Sequence, residues 1–316
     1  EGDNSIKAIN ESDENKYYYS NTVDQSILRT GDGDDFFEIK NSKGYYVGGL
    51  SRSSIISNGG NDSVILELKE SNLHDFYYGL TGIGGSLIDT GSGNDTLTIK
   101  LNSSKRDAFG SNVISNSSIL TGSGNDSIYI EQKNPSNNLN IYIANASSTI
   151  DFGDGNDTAK FISDGYGINQ VKSFYLGTGD DDFTIESQFS SLTNSILYAG
   201  EGDDNINIST SNIFHHALVD SEVFLDSGND QLTITNASNS LVDGGSGYDE
   251  IIIPNYYEKY SFNVVNKNDF NLSKVDDGFF SLEGKSIEKI TFKDKSIIIG
   301  GISDSTPPTV KSYTLD

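Results

Sequence analysis

Nine acidic turns hold the residues best suited to chemistry in this chain of 316 residues. They read Gly31-Asp32-Gly33-Asp34-Asp35, Asn58-Gly59-Gly60-Asn61-Asp62, Gly91-Ser92-Gly93-Asn94-Asp95, Gly122-Ser123-Gly124-Asn125-Asp126, Gly153-Asp154-Gly155-Asn156-Asp157, Gly177-Thr178-Gly179-Asp180-Asp181, Gly200-Glu201-Gly202-Asp203-Asp204, Asp226-Ser227-Gly228-Asn229-Asp230 and Gly245-Ser246-Gly247-Tyr248-Asp249. A truncated copy, Glu1-Gly2-Asp3-Asn4, precedes them. Glycine at positive φ lets backbone carbonyls converge, and the closing aspartate adds an anionic oxygen. Calcium takes such hard oxygen donors roughly six to eight at a time. One turn supplies too few, whereas two stacked turns supply enough. Without a cation between them, stacked aspartates repel.

The turns stack only if the chain coils, and the residues after each turn predict that it does. Two positions after the key Asp or Asn stand Ile6, Phe37, Val64, Leu97, Ile128, Ala159, Phe183, Ile206, Leu232 and Ile251. Four positions after it stand Ala8, Ile39, Leu66, Ile99, Ile130, Phe161, Ile185, Ile208, Ile234 and Ile253. All are apolar, and the residues between them are mostly polar. Period-two alternation means a strand with one buried face. Its recurrence at spacings of 19 to 33 residues means that one coil lies on the next.

A second short strand precedes each turn, as in Ser86-Leu87-Ile88 and Ser118-Ile119-Leu120. A segment of variable length joins the two and is expected to form a third, irregular side. The expected fold is all-β: a right-handed, β-roll-like parallel β-solenoid of about ten coils, roughly 45–50 Å long. The solenoid should span residues 1–253. Residues 254–303, with Tyr260, Phe262 and Val264 in alternation, read as a small β cap over the last open strand edge. Residues 304–316 read as a linker or the start of a following domain, so the chain is expected to be part of a larger protein.

Composition narrows the function. There are 46 acidic and 21 basic residues, a formal charge of −25. Such a body repels nucleic acid and anionic membrane surfaces and gains from bound cations. The chain has no Cys, Met or Trp, which removes thiolate metal sites, cysteine nucleophiles and disulfides. No apolar run approaches the ~20 residues of a membrane span, so membrane insertion is not expected.

The turn-and-strand unit resembles the repeats-in-toxin calcium-binding family, whose nonapeptide is GGxGxDxUx. The fullest match is Gly244-Gly245-Ser246-Gly247-Tyr248-Asp249-Glu250-Ile251-Ile252, and Ile287-Glu288-Lys289-Ile290-Thr291-Phe292-Lys293-Asp294 resembles a segment that follows such repeats. The resemblance implies calcium between turns of neighbouring coils, folding on calcium outside the cell, and export by a type I system. Carried over position by position, it implies carboxylate ligands at Asp35, Asp62, Asp95, Asp126, Asp157, Asp181, Asp204, Asp230 and Asp249. It implies carbonyl ligands from Gly31, Gly33, Asn58, Gly60, Gly91, Gly93, Gly122, Gly124, Gly153, Gly155, Gly177, Gly179, Gly200, Gly202, Asp226, Gly228, Gly245 and Gly247. The chain departs from the family by carrying one acidic turn per longer coil, which implies a single ladder of about eight Ca2+ ions. Most copies also lack the first glycine, with Thr30, Thr90, Thr121, Phe152, Leu176, Ala199 and Leu225 in its place.

The metal-free alternative, simple Asn/Gly/Asp turns, is weakened by nine copies in register with the strands. The expected role is a structural or adhesive, non-enzymatic module of a secreted or cell-surface protein, with glycans or neighbouring copies as candidate partners. The rival is a polysaccharide-binding or polysaccharide-degrading solenoid. That chemistry needs two or three acids on the outward face, where the middle positions offer only Glu38. Tyr17-Tyr18-Tyr19, Tyr45-Tyr46 and Tyr77-Tyr78 are read as fillers of the third side or as an aromatic strip. His74, His215 and His216 are read as surface loop residues.

Overall fold

The computed structural model describes residues 2–10, 19–42, 46–69, 81–102, 111–133, 141–145, 147–275, 280–299 and 311–314. They form an all-β parallel solenoid of about seven turns. One 3-10 helix, Tyr257–Lys259, accompanies it. The expectation of about ten coils counts acidic turns. The connections at 11–18, 43–45, 70–80, 103–110 and 134–140 lie outside the described residues, and the full count is not shown.

Three sheets make the walls. Sheet A follows the acidic turns: Thr96–Asn102 pairs in parallel with Ser63–Lys69 on one side and Ser127–Lys133 on the other. The register sets Leu97 beside Val64 and Ile128, and Ile99 beside Leu66 and Ile130. Both inward columns from Phe37 and Ile39 onward are buried, while Ile6 and Ala8 in the first strand are only half-buried. Sheet C precedes the turns, with Ile88, Ile119 and Ile150 stacked and buried.

The third side is more regular than expected. It is a nine-stranded parallel sheet, here sheet B, built from strands such as Thr81–Gly84, Ser111–Ser115, Ile141–Ala144 and Tyr166–Asn169. Insertions of varying length precede these strands, so no fixed spacing announces them. Tyr19 and Tyr46 open two of them in register; Tyr17, Tyr18, Tyr45, Tyr77, Tyr78 and His74 lie outside the described residues. Sheet B meets sheet C at a corner held in the left-handed region, by Asn116 (φ 47°), Asn194 (φ 47°) and Asn239 (φ 46°) among others. Asparagine tolerates that conformation better than most residues.

The cap continues two walls. Ser281–Lys285 pairs in parallel with Ser240–Asp243, then reverses into Asp269–Lys274 and Tyr260–Asn266. Lys289–Phe292 extends sheet A beyond Glu250–Ile253 and turns back through Lys295–Ile298. Lys311–Thr314, from the segment expected as a linker, pairs with Lys295–Ile298. Buried Tyr260, Phe270, Phe280 and Phe292 cover the last coil.

Replacing Ile130, which is fully buried, by alanine should cost about 2–5 kcal/mol. Replacing Thr98 on the opposite face of the same sheet should cost under about 1 kcal/mol. Urea unfolding midpoints of the two variants check the assigned faces.

Candidate metal-binding edge

Turn residues are positioned by the strands on either side, and stacking brings each into line with its counterparts. Asp35, Asp62, Asp95, Asp126, Asp157, Asp181, Asp204, Asp230 and Asp249 form one column, each at most 3% exposed. Within it, each Oδ1 accepts the backbone N–H of the aspartate one coil earlier, at 2.7–3.0 Å. The residue before each aspartate bonds in the opposite sense. The N–H groups of Asn61, Asn94, Asn125, Asn156, Asp180, Asp203 and Asn229 each donate to the side-chain Oδ1 one coil earlier. Two adjacent ladders of opposite direction therefore clamp successive coils.

The glycines serve this stacking directly. A Cβ on Gly93 (φ 134°) would lie 1.8 Å from the Gly60 carbonyl oxygen, and one on Gly122 (φ 97°) would lie 1.7 Å from that of Gly91. Neither distance is physical, so at these positions the coils close up over glycine. Asn58 and Asp226 take the same left-handed backbone at φ 72° and 68°, whereas Gly31 does not. First-glycine carbonyls accept an N–H from the next coil, as Gly91 does from Ser123 at 2.9 Å. Second-glycine carbonyls abut the α-carbon of the next glycine.

The second carboxylate oxygen has no such partner. Oδ2 is buried and without a hydrogen bond in all nine aspartates. It faces the residue five positions earlier: a Cβ on Gly244 would lie 2.5 Å from Oδ2 of Asp249. That position carries Thr30, Ser57, Thr90 and Thr121 in the early coils. Their single hydroxyl protons are given to carbonyls of the next coil, as Thr90 gives its to Thr121 at 3.0 Å. Later coils carry Phe152, Leu176, Ala199 and Leu225 there, all buried. This accounts for the missing first glycine: a side chain at that position fills the interior beside Oδ2.

Burial pushes these carboxyl groups up, to about 6 at Asp95 and Asp181, about 7 at Asp126 and about 8 at Asp157 and Asp204. Donated N–H bonds oppose the rise without cancelling it. Asp62, Asp230 and Asp249 move up for the same reason. Asp35 is the exception: burial raises it too, but the polar Thr30 side chain nearby and the Asn4 donors to its Oδ1 hold it low. Ionising several such interior carboxylates together works against the folded state, and bound protons or a neutralising cation relieve that cost.

Its donor chemistry suits a hard cation. Nine buried carboxylate oxygens are unsatisfied, and the turns add carbonyl, hydroxyl and outer Asn and Asp side-chain oxygens. Among the described residues no three His, Cys, Asp or Glu side chains converge on one point, as follows from one aspartate per coil. Any ion on this edge is completed by backbone oxygens.

One end of the column is closed by Asn4, the last residue of the truncated copy, and the other by Glu288, whose place no turn motif announces. Asn4 donates its backbone and side-chain N–H groups to Asp35 Oδ1, at 2.7 and 2.9 Å. At the other end Glu288 Oε2 accepts the Asp249 N–H at 2.8 Å, and its Oε1 accepts from Asn268 at 2.6 Å. A serine column at the corner between sheets B and C was also missed. Ser26, Ser53 and Ser86 donate their N–H to the hydroxyl of Ser53, Ser86 and Ser117, at 3.0–3.1 Å. Its signal is a serine two residues before the first inward residue of most sheet C strands, with Lys172 before Phe174 as the exception.

Elsewhere, Tyr175, Tyr198 and Phe224 stack on the outside of sheet C with centroids 5.1 and 5.3 Å apart and planes within 15° and 12°. Their faces cover one another, so their edges meet solvent and no flat sugar platform results. His215 packs on Phe189 at 4.8 Å. No helix among the described residues is long and apolar enough to cross a membrane. No protein-family model, curated protein or solved structure matches the chain, and the functional reading therefore rests on this geometry.

The raised carboxyl groups fix a sign. A group whose folded value exceeds its unfolded value of about 4 contributes stability fully below that pH and loses it as pH rises through the folded value. In chelator, the melting temperature should fall between pH 5 and pH 9, most steeply from about 6 to 8. A melting temperature that holds or rises across that range would contradict the assigned burial. Gly124→Ala should lower stability by more than the ~1 kcal/mol of an ordinary glycine replacement, read by chemical denaturation.

Proposed function

We propose that this chain is a calcium-loaded, non-catalytic solenoid that serves as a rigid structural or adhesive segment of a secreted or cell-surface protein. The observation that carries the reading is the column of nine buried aspartates, each with one oxygen unsatisfied. In the proposal the solenoid has about ten coils and a single ladder of about eight ions along the acidic edge. Asp35, Asp62, Asp95, Asp126, Asp157, Asp181, Asp204, Asp230 and Asp249 would hold the ions, with carbonyls from the turns around Gly33, Gly60, Gly93, Gly124, Gly155, Gly179, Gly202, Gly228 and Gly247. Bound calcium supplies positive charge where ionised carboxylates would otherwise repel.

The chain's own residues do the rest. The paired hydrogen-bond ladders keep the coils in register, the glycines allow close approach, and the inward columns exclude water. The resemblance of the turns to repeats-in-toxin sequences supports calcium as the ion. The formal charge of −25 supports a cation-rich extracellular setting. Glycans or further copies are the proposed partners.

At pH 8, excess chelator should lower the melting temperature or unfold the rod, and calcium should restore it, because an ion that binds only the folded state stabilises by mass action. Asp126→Asn keeps the Oδ1 acceptor used by Asp95 and removes the charge at Oδ2. That variant should melt higher than the parent in chelator and gain less from calcium. Equal calcium responses in parent and variant would sink the proposal.

A further inference from the structure

A cavity of about 390 Å³ lies between the loop after strand Asn205–Thr210 and the cap. Its size is that of a small-molecule site. Its charge is opposite to that of the protein. No Asp or Glu lines it, while Lys259 and Lys274 do.

Several polar groups on its wall can donate, alongside the mixed donors and acceptors Thr210, Asn212, Thr235 and Asn236. Lys259 ends the 3-10 helix, is exposed, and makes no ion pair among the described residues. Asn255 spends its oxygen on the Tyr256 N–H at 3.0 Å and lies beside the Tyr260 hydroxyl. Tyr260 is 5% exposed, and its hydroxyl is buried without a hydrogen bond. A buried hydroxyl without a partner costs roughly 1–3 kcal/mol, a penalty that an acceptor-bearing ligand relieves. Phe280, which is buried, and Ile213, which is 85% exposed at the loop tip, add an apolar flank.

A cation, amide and phenol donors, and an apolar flank together describe a ligand with a carboxylate, several hydroxyl acceptors and one hydrophobic face. We propose that this cavity binds a uronate, a pyranose carrying a carboxylate, with the carboxylate on Lys259 and the ring against Phe280 and Ile213. The site is independent of the acidic edge, which lies along the turns between sheets C and A.

Calorimetric titration of the full chain in calcium-containing buffer, so that coil stacking is constant, tests this with sodium glucuronate, glucose and sodium acetate. Glucuronate should bind at least tenfold more tightly than either control. Lys259→Gln should weaken it tenfold or more with an unchanged circular dichroism spectrum, and Tyr260→Phe should weaken it several-fold. A glucuronate-terminated trisaccharide that binds more tightly than the monosaccharide identifies a glycan chain end as the source, and weaker binding identifies the free sugar acid. No glucuronate binding overturns the proposal. So does equal binding of glucose or acetate, or a Lys259→Gln variant that binds as the parent does.

Discussion

The interaction on which this molecule depends is a carboxylate buried at half its bonding capacity. In every coil from Asp35 to Asp249, one oxygen is spent on holding the previous coil and the other has no donor. The first oxygen explains why the turns stack, since it answers a backbone N–H that would otherwise be buried unpaired. The second explains why the stack is conditional. Burial favours the neutral form of the column, and ionising it without a counter-charge works against the fold.

The rest of the architecture follows from keeping that column in line. Coils can approach closely enough for an Asp95 to Asp126 bond of 2.8 Å only where the turns lack side chains, which is why Gly93 and Gly124 stand where they do. The outer Asn and Asp residues then bind in the opposite direction, so a slip in either sense breaks one ladder. Apolar columns under sheet A fix the rotation of each coil, because a one-residue shift would turn Ile99 outward and Thr98 inward. Salt bridges along the outside of sheet A, such as Lys40 between Glu38 and Glu67 at 2.7 and 3.3 Å, are partly solvated and contribute modestly.

Much of this was legible in the sequence because its signals are periodic. Alternation in Leu97, Ile99 and Leu101 gave sheet A, and recurrence gave parallel stacking. Apart from the serine column, the features that the sequence leaves unmarked lack a constant spacing. Sheet B follows insertions of changing length, so its strands share a wall without sharing an interval. Glu288 closes the aspartate column from 39 residues beyond Asp249, at a distance no turn motif encodes. Thr90 and Phe152 looked like failures of a glycine pattern; they are interior residues packed beside the unsatisfied oxygen. The glycines themselves were expected to aim carbonyls at an ion, yet their first demonstrable task is steric.

Whether cations complete the column is best decided by diffraction from crystals grown with calcium, using anomalous scattering at long wavelength to locate the ions. The account predicts a row of peaks along the acidic edge, one between successive coils, each within coordination distance of an aspartate Oδ2. A well-ordered rod with no peaks on that edge, or with calcium only at scattered surface sites, would contradict it.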